Sequence, residues 1–256
     1  MKSLVDYFDR VVCINLDSCP DRWQEFCARL DNLNWPFRTP ERFRAVDGEK
    51  CPPPDWMRNR YRECAGAWGC YQTHLRILED ALLDNVERLL ILEDDALFVP
   101  DLDGRAHAFL RHIPANWDQL YFGGEHMLHP VLLNTHVLRC VQVHRTHAHA
   151  LQRRFIQKAY DYLISYPTVD HYRRRRLWGR WRRTLRRPKS IFVSSHSEQS
   201  AHVDHHFGQM HQLDSVEVFA PRTWLAGQAA GVSSIMKTSV EESYWPMDRH
   251  PSARAA

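Results

Sequence analysis

Apolar positions along this chain follow two spacings, short unbroken runs that suit strands and a three-to-four repeat that suits helices. Val11-Val12-Cys13-Ile14-Asn15-Leu16 is a strand-type run. Pro20 then fits a first helical position, and Ser18 with Asp21 has the form of an N-terminal capping box. Trp23, Phe26, Cys27 and Leu30 continue at the spacing of an amphipathic helix. A second strand is expected within Phe37 to Val46, ending at the Asp47-Gly48 turn, and the proline run from Cys51 to Asp55 reads as a loop. From Ala67 to Leu83 the repeat is helical: Trp68, Tyr71, Leu75, Leu78 and Leu82 form one stripe, with His74 beside it. Asp118 to Gly124 and Val137 to Val143 read as further strands, and Leu151 to Ser165 as a helix. Strands alternating with helices predict an α/β fold, a mainly parallel, doubly wound sheet flanked by helices. No repeat or boundary divides the chain, which reads as one domain with a basic insert at about 171–190.

The run Leu89-Leu90-Ile91-Leu92 ends in three carboxylates, Glu93-Asp94-Asp95. An apolar run this short suits a strand covered on both faces, so the charges mark the point where it emerges at the sheet edge. Ligands of open α/β sheets bind at such edges. Side chains alternate along a strand, which places Glu93 and Asp95 on one face and Asp94 on the other. Paired carboxylates suit a hard divalent cation such as Mg²⁺ or Mn²⁺. A solvated acidic turn is the plainer alternative.

Composition narrows the classes. Over 256 residues, 44% apolar and 25% charged content are ordinary for a soluble globular protein. No apolar run reaches the length of a membrane span, and the first residues lack a signal-peptide core. Seven cysteines without a CxxC pair favour reduced thiols in a cytosolic setting. Between Arg173 and Lys189 lie nine Arg, one Lys and no acid. Without those ten charges the net +3 becomes about −7, an acidic body that argues against a dedicated nucleic-acid-binding domain.

Several motifs together resemble glycosyltransferase family 25, which includes bacterial lipooligosaccharide galactosyltransferases and procollagen galactosyltransferases. They are Val12 to Leu16 with Asp21-Arg22, Phe43 to Gly48, Gly69 to Leu75, Leu90 to Phe98, and Trp117 to Gly123. The later stretches Thr146 to Ala150, His202-Val203-Asp204 and Phe219 to Ile235 match more loosely. The resemblance implies a GT-A-type, Rossmann-like fold, a nucleotide-sugar donor and a divalent metal. Glu93 and Asp95 then stand for a DxD-like element holding Mn²⁺ or Mg²⁺ against the donor diphosphate, with Asp94 positioning ribose or sugar. The metal would offset the charge that the leaving diphosphate gains.

Asn15 and Arg22 flank the first strand-to-helix turn, a usual place for phosphate or nucleoside; an ion pair within its own helix is the alternative for Arg22. Asp47 suits a ribose or base contact, or a plain Asp-Gly turn. His74 corresponds to the family's Ser-His pair with Thr73 in place of serine, and is otherwise a core histidine. His149 stands where the family more often has an aromatic residue such as Tyr. The implied reaction is inverting transfer of a hexose, galactose first, from a UDP-sugar to a hydroxyl of a glycan, glycolipid or protein. Asp204 and Glu125 are the candidate bases for the acceptor proton.

His202, Asp204, His205, His206 and His211 have the side chains of a zinc site but match no standard zinc module; a polar surface helix is the alternative. Arg173 to Lys189, with Leu177, Trp178, Trp181 and Leu185 interleaved, suits a basic amphipathic helix lying peripherally at an anionic membrane. Two other classes compete with the transferase: a metal-dependent phosphoryl-transfer or nuclease enzyme, and a non-catalytic anion-binding protein using the basic insert.

Overall fold

The computed structural model describes residues 3–55, 57, 64–165, 200–232 and 239–244. Strand β1 (Arg10–Asn15) leads into helix α1 (Pro20–Asp31), then β2 (Glu41–Arg44) and the long helix α2 (Ala65–Leu83). Strands β3 (Arg88–Glu93) and β4 (Ala96–Phe98) flank the acidic turn, followed by α3 (Leu102–His112) and β5 (Gln119–His126). Next come β6 (Val131–Leu132), β7 (Val137–Arg139), β8 (Val143–Gln152) and α4 (Arg153–Ser165). Helix α5 (Val203–Met210) and strands β9 (Val218–Pro221), β10 (Ala226–Gln228), β11 (Gly231–Val232) and β12 (Ser239–Val240) complete the described elements.

Eight strands form one sheet in the order β2-β1-β3-β8-β5-β9-β7-β6. The α/β architecture expected from the alternating pattern is present. Its sheet is mixed: β2-β1, β1-β3 and β5-β9 pair in parallel, whereas β8 runs antiparallel to both β3 and β5. Strand β8 was not expected. Its sequence, Val-His-Arg-Thr-His-Ala-His-Ala-Leu-Gln, is too rich in histidine to read as apolar, yet it lies between β3 and β5 and is buried from Thr146 to Leu151. Val137 to Val143, expected as one strand, is divided between β7 and β8, and β8 takes the residues that seemed to open the following helix.

Alternation along the inner strands feeds two cores. Val12, Leu89 and Ile91 pack with α2, α4 and α5 around Tyr71, Leu78, Phe155 and Phe207. Val11, Cys13, Leu90 and Leu92 pack with α1 and α3 around Phe26, Phe109 and Phe122. Each strand is therefore covered on both faces, as its unbroken apolar run requires. Pro20 does open α1, but no side-chain hydrogen bond caps that helix, so the Ser18/Asp21 capping box does not form. All seven cysteines are free thiols. Among the described residues no helix is long and apolar enough to cross a membrane. Arg173 to Lys189 lies outside the described residues.

Candidate functional site

The sheet order sets the site. The C-terminal ends of β1, β3 and β5 and the N-terminal half of β8 lie at one edge, because β8 runs against its two neighbours. Strand β3 stops at Glu93, and Asp94 and Asp95 form the turn into β4. The carboxylates therefore emerge where the apolar run predicts.

Each acid has a different environment. Asp94 is 6% exposed; its carboxylate accepts from Asn15 Nδ2 at 2.6 Å and is ion-paired with Arg22. Arg22 also lies 3.4 Å from Asp95 Oδ2, so one guanidinium serves two acids. Gln228 Nε2 donates to the same Asp95 oxygen at 2.9 Å. Asp95 Oδ1 is buried without a hydrogen-bond partner. On the β8 side, Thr146 Oγ1 donates to Glu93 Oε1 at 2.7 Å. Burial, and next the charge of Asp95, push the Glu93 carboxyl up to about 8. Asp94 is also raised by burial, against the pull of Arg22 and Asn15.

A buried oxygen with no donor and a neighbouring carboxyl with a raised pKa leave the cluster short of positive charge. Carboxylates in this condition fit Mg²⁺ or Mn²⁺, which take oxygen ligands. Beside them is a recess lined by Arg22, Arg29, Asp94, Asp95, Gln228 and residues 229–231. Arg29 donates to the Asp94 carbonyl at 2.6 Å. It lies seven residues beyond Arg22 on α1, so the two share a helix face, a relation readable from sequence but missed there.

Strand β8 carries the rest. Glu125 pairs with His144 and Gly123 with Ala148, so four residues of β8 span two of β5. The bulge contains Arg145, whose φ of 76° is left-handed in a non-glycine residue. Thr146 thereby reaches Glu93. The Arg145 amide donates to Asp204 Oδ2 at 3.0 Å, and its guanidinium lies 3.4 Å from Glu125. Both candidate bases thus meet at Arg145. Asp204 also accepts from the His205 amide at 2.9 Å. Burial alone would raise its pKa, but His144, His205 and His202 hold it well below the usual carboxylate range. A carboxylate so stabilised is a weak proton acceptor. Gly123 is required where β10 crosses: an added Cβ would lie 2.2 Å from the Ala226 carbonyl oxygen.

Other expected contacts lie away from the recess. Asp47 caps a short 3₁₀ turn through the Glu49 amide at 3.1 Å and pairs with Lys50 at 3.1 Å. His74 is 0% exposed, its ring 5.6 Å from His149 and its Nδ1 3.0 Å from the Cys70 carbonyl. Burial depresses its pKa to about 4, so it is a neutral core histidine at ordinary pH. Thr73 accepts from the Val46 amide at 2.8 Å and donates to the Gly69 carbonyl at 2.7 Å. Its hydroxyl fixes the loop before Asp47 to α2. His149 stacks with Tyr121 at 5.8 Å, filling an aromatic position with an imidazole.

A family model described as Glycosyltransferase family 25 (LPS biosynthesis protein) matches residues 8–166, more than half of the chain. The human protein named inactive glycosyltransferase 25 family member 3 is 27% identical over 139 residues, 45% of this chain and 22% of that protein. The match therefore spans less than a quarter of the human protein's length. A solved structure, A197 from STIV, aligns over 94% of this chain and 98% of its own with 11% identity and a TM-score of 0.36. With its acidic turn, its β1–α1 unit and the Thr73-His74 pair inside the matched region, the chain belongs to glycosyltransferase family 25.

Proposed function

We propose that the chain is a metal-dependent glycosyltransferase that moves a hexose, galactose by preference, from a UDP-sugar to a hydroxyl of lipooligosaccharide or another glycan. The observation that carries this reading is Asp95 Oδ1, buried without a partner in a turn that holds three carboxylates. Glu93 and Asp95 would hold Mn²⁺ or Mg²⁺, which when bound offsets charge on the departing diphosphate.

The chain's own groups supply the rest. Arg22 and Arg29 face the recess and offer positive charge to phosphate oxygens. Asn15 fixes Asp94, which in turn orients Arg22. Of the two candidate bases, Glu125 suits the acceptor proton better, because Asp204 is held in its charged form by three histidines. Peripheral attachment to an anionic membrane through Arg173 to Lys189 belongs to the same reading, with a glycolipid acceptor as its rationale.

The test is hydrolysis of UDP-galactose by the intact chain with and without Mn²⁺, which needs no acceptor. Slow, Mn²⁺-dependent release of UDP supports the reading. Cleavage of a nucleic acid or phosphodiester in its place favours the phosphoryl-transfer class. Absence of both activities and of UDP binding favours a non-catalytic member.

A further inference from the structure

The histidines that match no zinc module in sequence acquire a partner in the fold. His144 of β8, Asp204 and His205 place one ligand-type atom each within 4.8 Å of one another, all three side chains half-buried. The imidazoles of His144 and His205 lie 4.8 Å apart, and His202 brings a third ring to 5.0 Å from His205.

The surroundings bear on which ring nitrogens would ligate. Ser200 Oγ lies 2.9 Å from His205 Nδ1, so Nε2 is the nitrogen that would ligate. The Gln142 side-chain amide lies 3.2 Å from His144 Nε2; with its oxygen turned to that nitrogen it accepts the Nε2–H and leaves Nδ1 to ligate. Hydrogen bonds on the outer nitrogen are the usual way a protein orients a ligating imidazole. Gly208 permits this placement, since an added Cβ there would meet His144 Nε2 at 2.9 Å. Asp204 is oriented by the backbone amides of Arg145 and His205, at 3.0 and 2.9 Å.

We propose that His144, Asp204 and His205 form a second divalent-metal site, of the zinc class, separate from the carboxylate turn. Two imidazoles and one carboxylate are borderline ligands that suit Zn²⁺ over Mg²⁺ or Ca²⁺, and three ligands leave a position for water or a hydroxyl. Tetrahedral zinc with bonds of about 2.0–2.1 Å sets its ligand atoms roughly 3.3 Å apart, so the three atoms close by at most about 1.5 Å on binding. The ion would tie α5 to the β8 bulge, whose next residue but one after His144 is Thr146, the partner of Glu93. It shares no residue with the recess beside Asp95. The site does not depend on the glycosyl-transfer reading and is tested without activity.

The experiment is titration of the EDTA-stripped, intact chain with Co²⁺ followed by visible absorption, with Zn²⁺ as competitor. The expected result is a ligand-field band that saturates at one Co²⁺ per chain, disappears on adding Zn²⁺, and persists in Asp95→Asn. His144→Gln and His205→Gln should each weaken binding by on the order of a hundredfold. A wild-type chain that gives no band with equimolar Co²⁺ overturns the proposal, whether or not the variants fold. So does a band that survives both histidine substitutions, or one that Asp95→Asn removes.

Discussion

Two clusters of titratable side chains lie at the same edge of the sheet and are built in opposite ways. In the acidic turn Arg22 pairs with two of three carboxylates, and burial with mutual repulsion pushes Glu93 up to about 8. Across β8 a single carboxylate, Asp204, has three histidines and two backbone amides, and its pKa falls despite burial. Burial acts in the same direction on both acids; the sign of the neighbours decides the outcome. One cluster sets three acids against a single arginine, and the other gathers three imidazoles around one anion. That difference is the basis for proposing a hard-cation site at the first and a zinc-class site at the second.

The largest effect that would break this contrast comes from Asp95→Asn. Loss of the unpartnered anionic oxygen should lower UDP-galactose turnover by on the order of a hundredfold or more, with an unchanged circular dichroism spectrum. Full turnover in this variant, persisting in EDTA, removes the metal from the account. Next is Thr146→Val, which deletes the hydroxyl held against Glu93. Groups that orient a metal ligand typically contribute on the order of tenfold in affinity, so Mn²⁺ binding followed by electron paramagnetic resonance should weaken by about that factor. Unaltered Mn²⁺ affinity would show that β8 does not support the acidic turn.

Arg22→Ala sharpens the contrast on the ligand side. It removes the cation shared by Asp94 and Asp95, so UDP affinity by calorimetry should fall roughly tenfold, as expected for a charge-assisted contact worth about 1.5 kcal/mol. Equal UDP affinity in wild type and variant would place the diphosphate elsewhere.

A separate effect, on stability and not on ligand binding, is a pH dependence. His74 is neutral in the fold with a pKa near 4, against an ordinary value of 6.5. As pH falls below 6.5 the unfolded chain binds a proton there and the folded chain does not, so stability declines until about pH 4. The loss reaches at most roughly 3 kcal/mol for this residue at about 1.4 kcal/mol per unit. His74→Phe keeps a ring against His149 and Phe207 and should flatten the slope of urea-denaturation stability between pH 6.5 and 4.5. An unchanged slope would mean that His74 is not held neutral.

What the sequence disclosed follows from how local each signal is. Strands β1 and β3 are continuous apolar runs and α2 a clear stripe, so they and the emergence of the acids at Glu93 were readable. Strand β8 was not, because Thr, Arg and three histidines obscure its period, and its burial comes from neighbours on both sides. The histidines around Asp204 were visible as composition. Their partner His144 lies sixty positions before Asp204 and is brought to it only when the bulge places β8 beside α5. Gln228 and Thr146 could be assigned to the acidic turn only after folding, since each approaches from a different strand.

The most direct test of the central claim is calorimetric titration of UDP into the EDTA-stripped chain with and without Mn²⁺, for the wild type, Asp95→Asn and His205→Gln. The account predicts that Mn²⁺ tightens UDP binding in the wild type and in His205→Gln, and has no effect in Asp95→Asn. Mn²⁺-assisted binding that persists in Asp95→Asn, or is lost in His205→Gln alone, would contradict it.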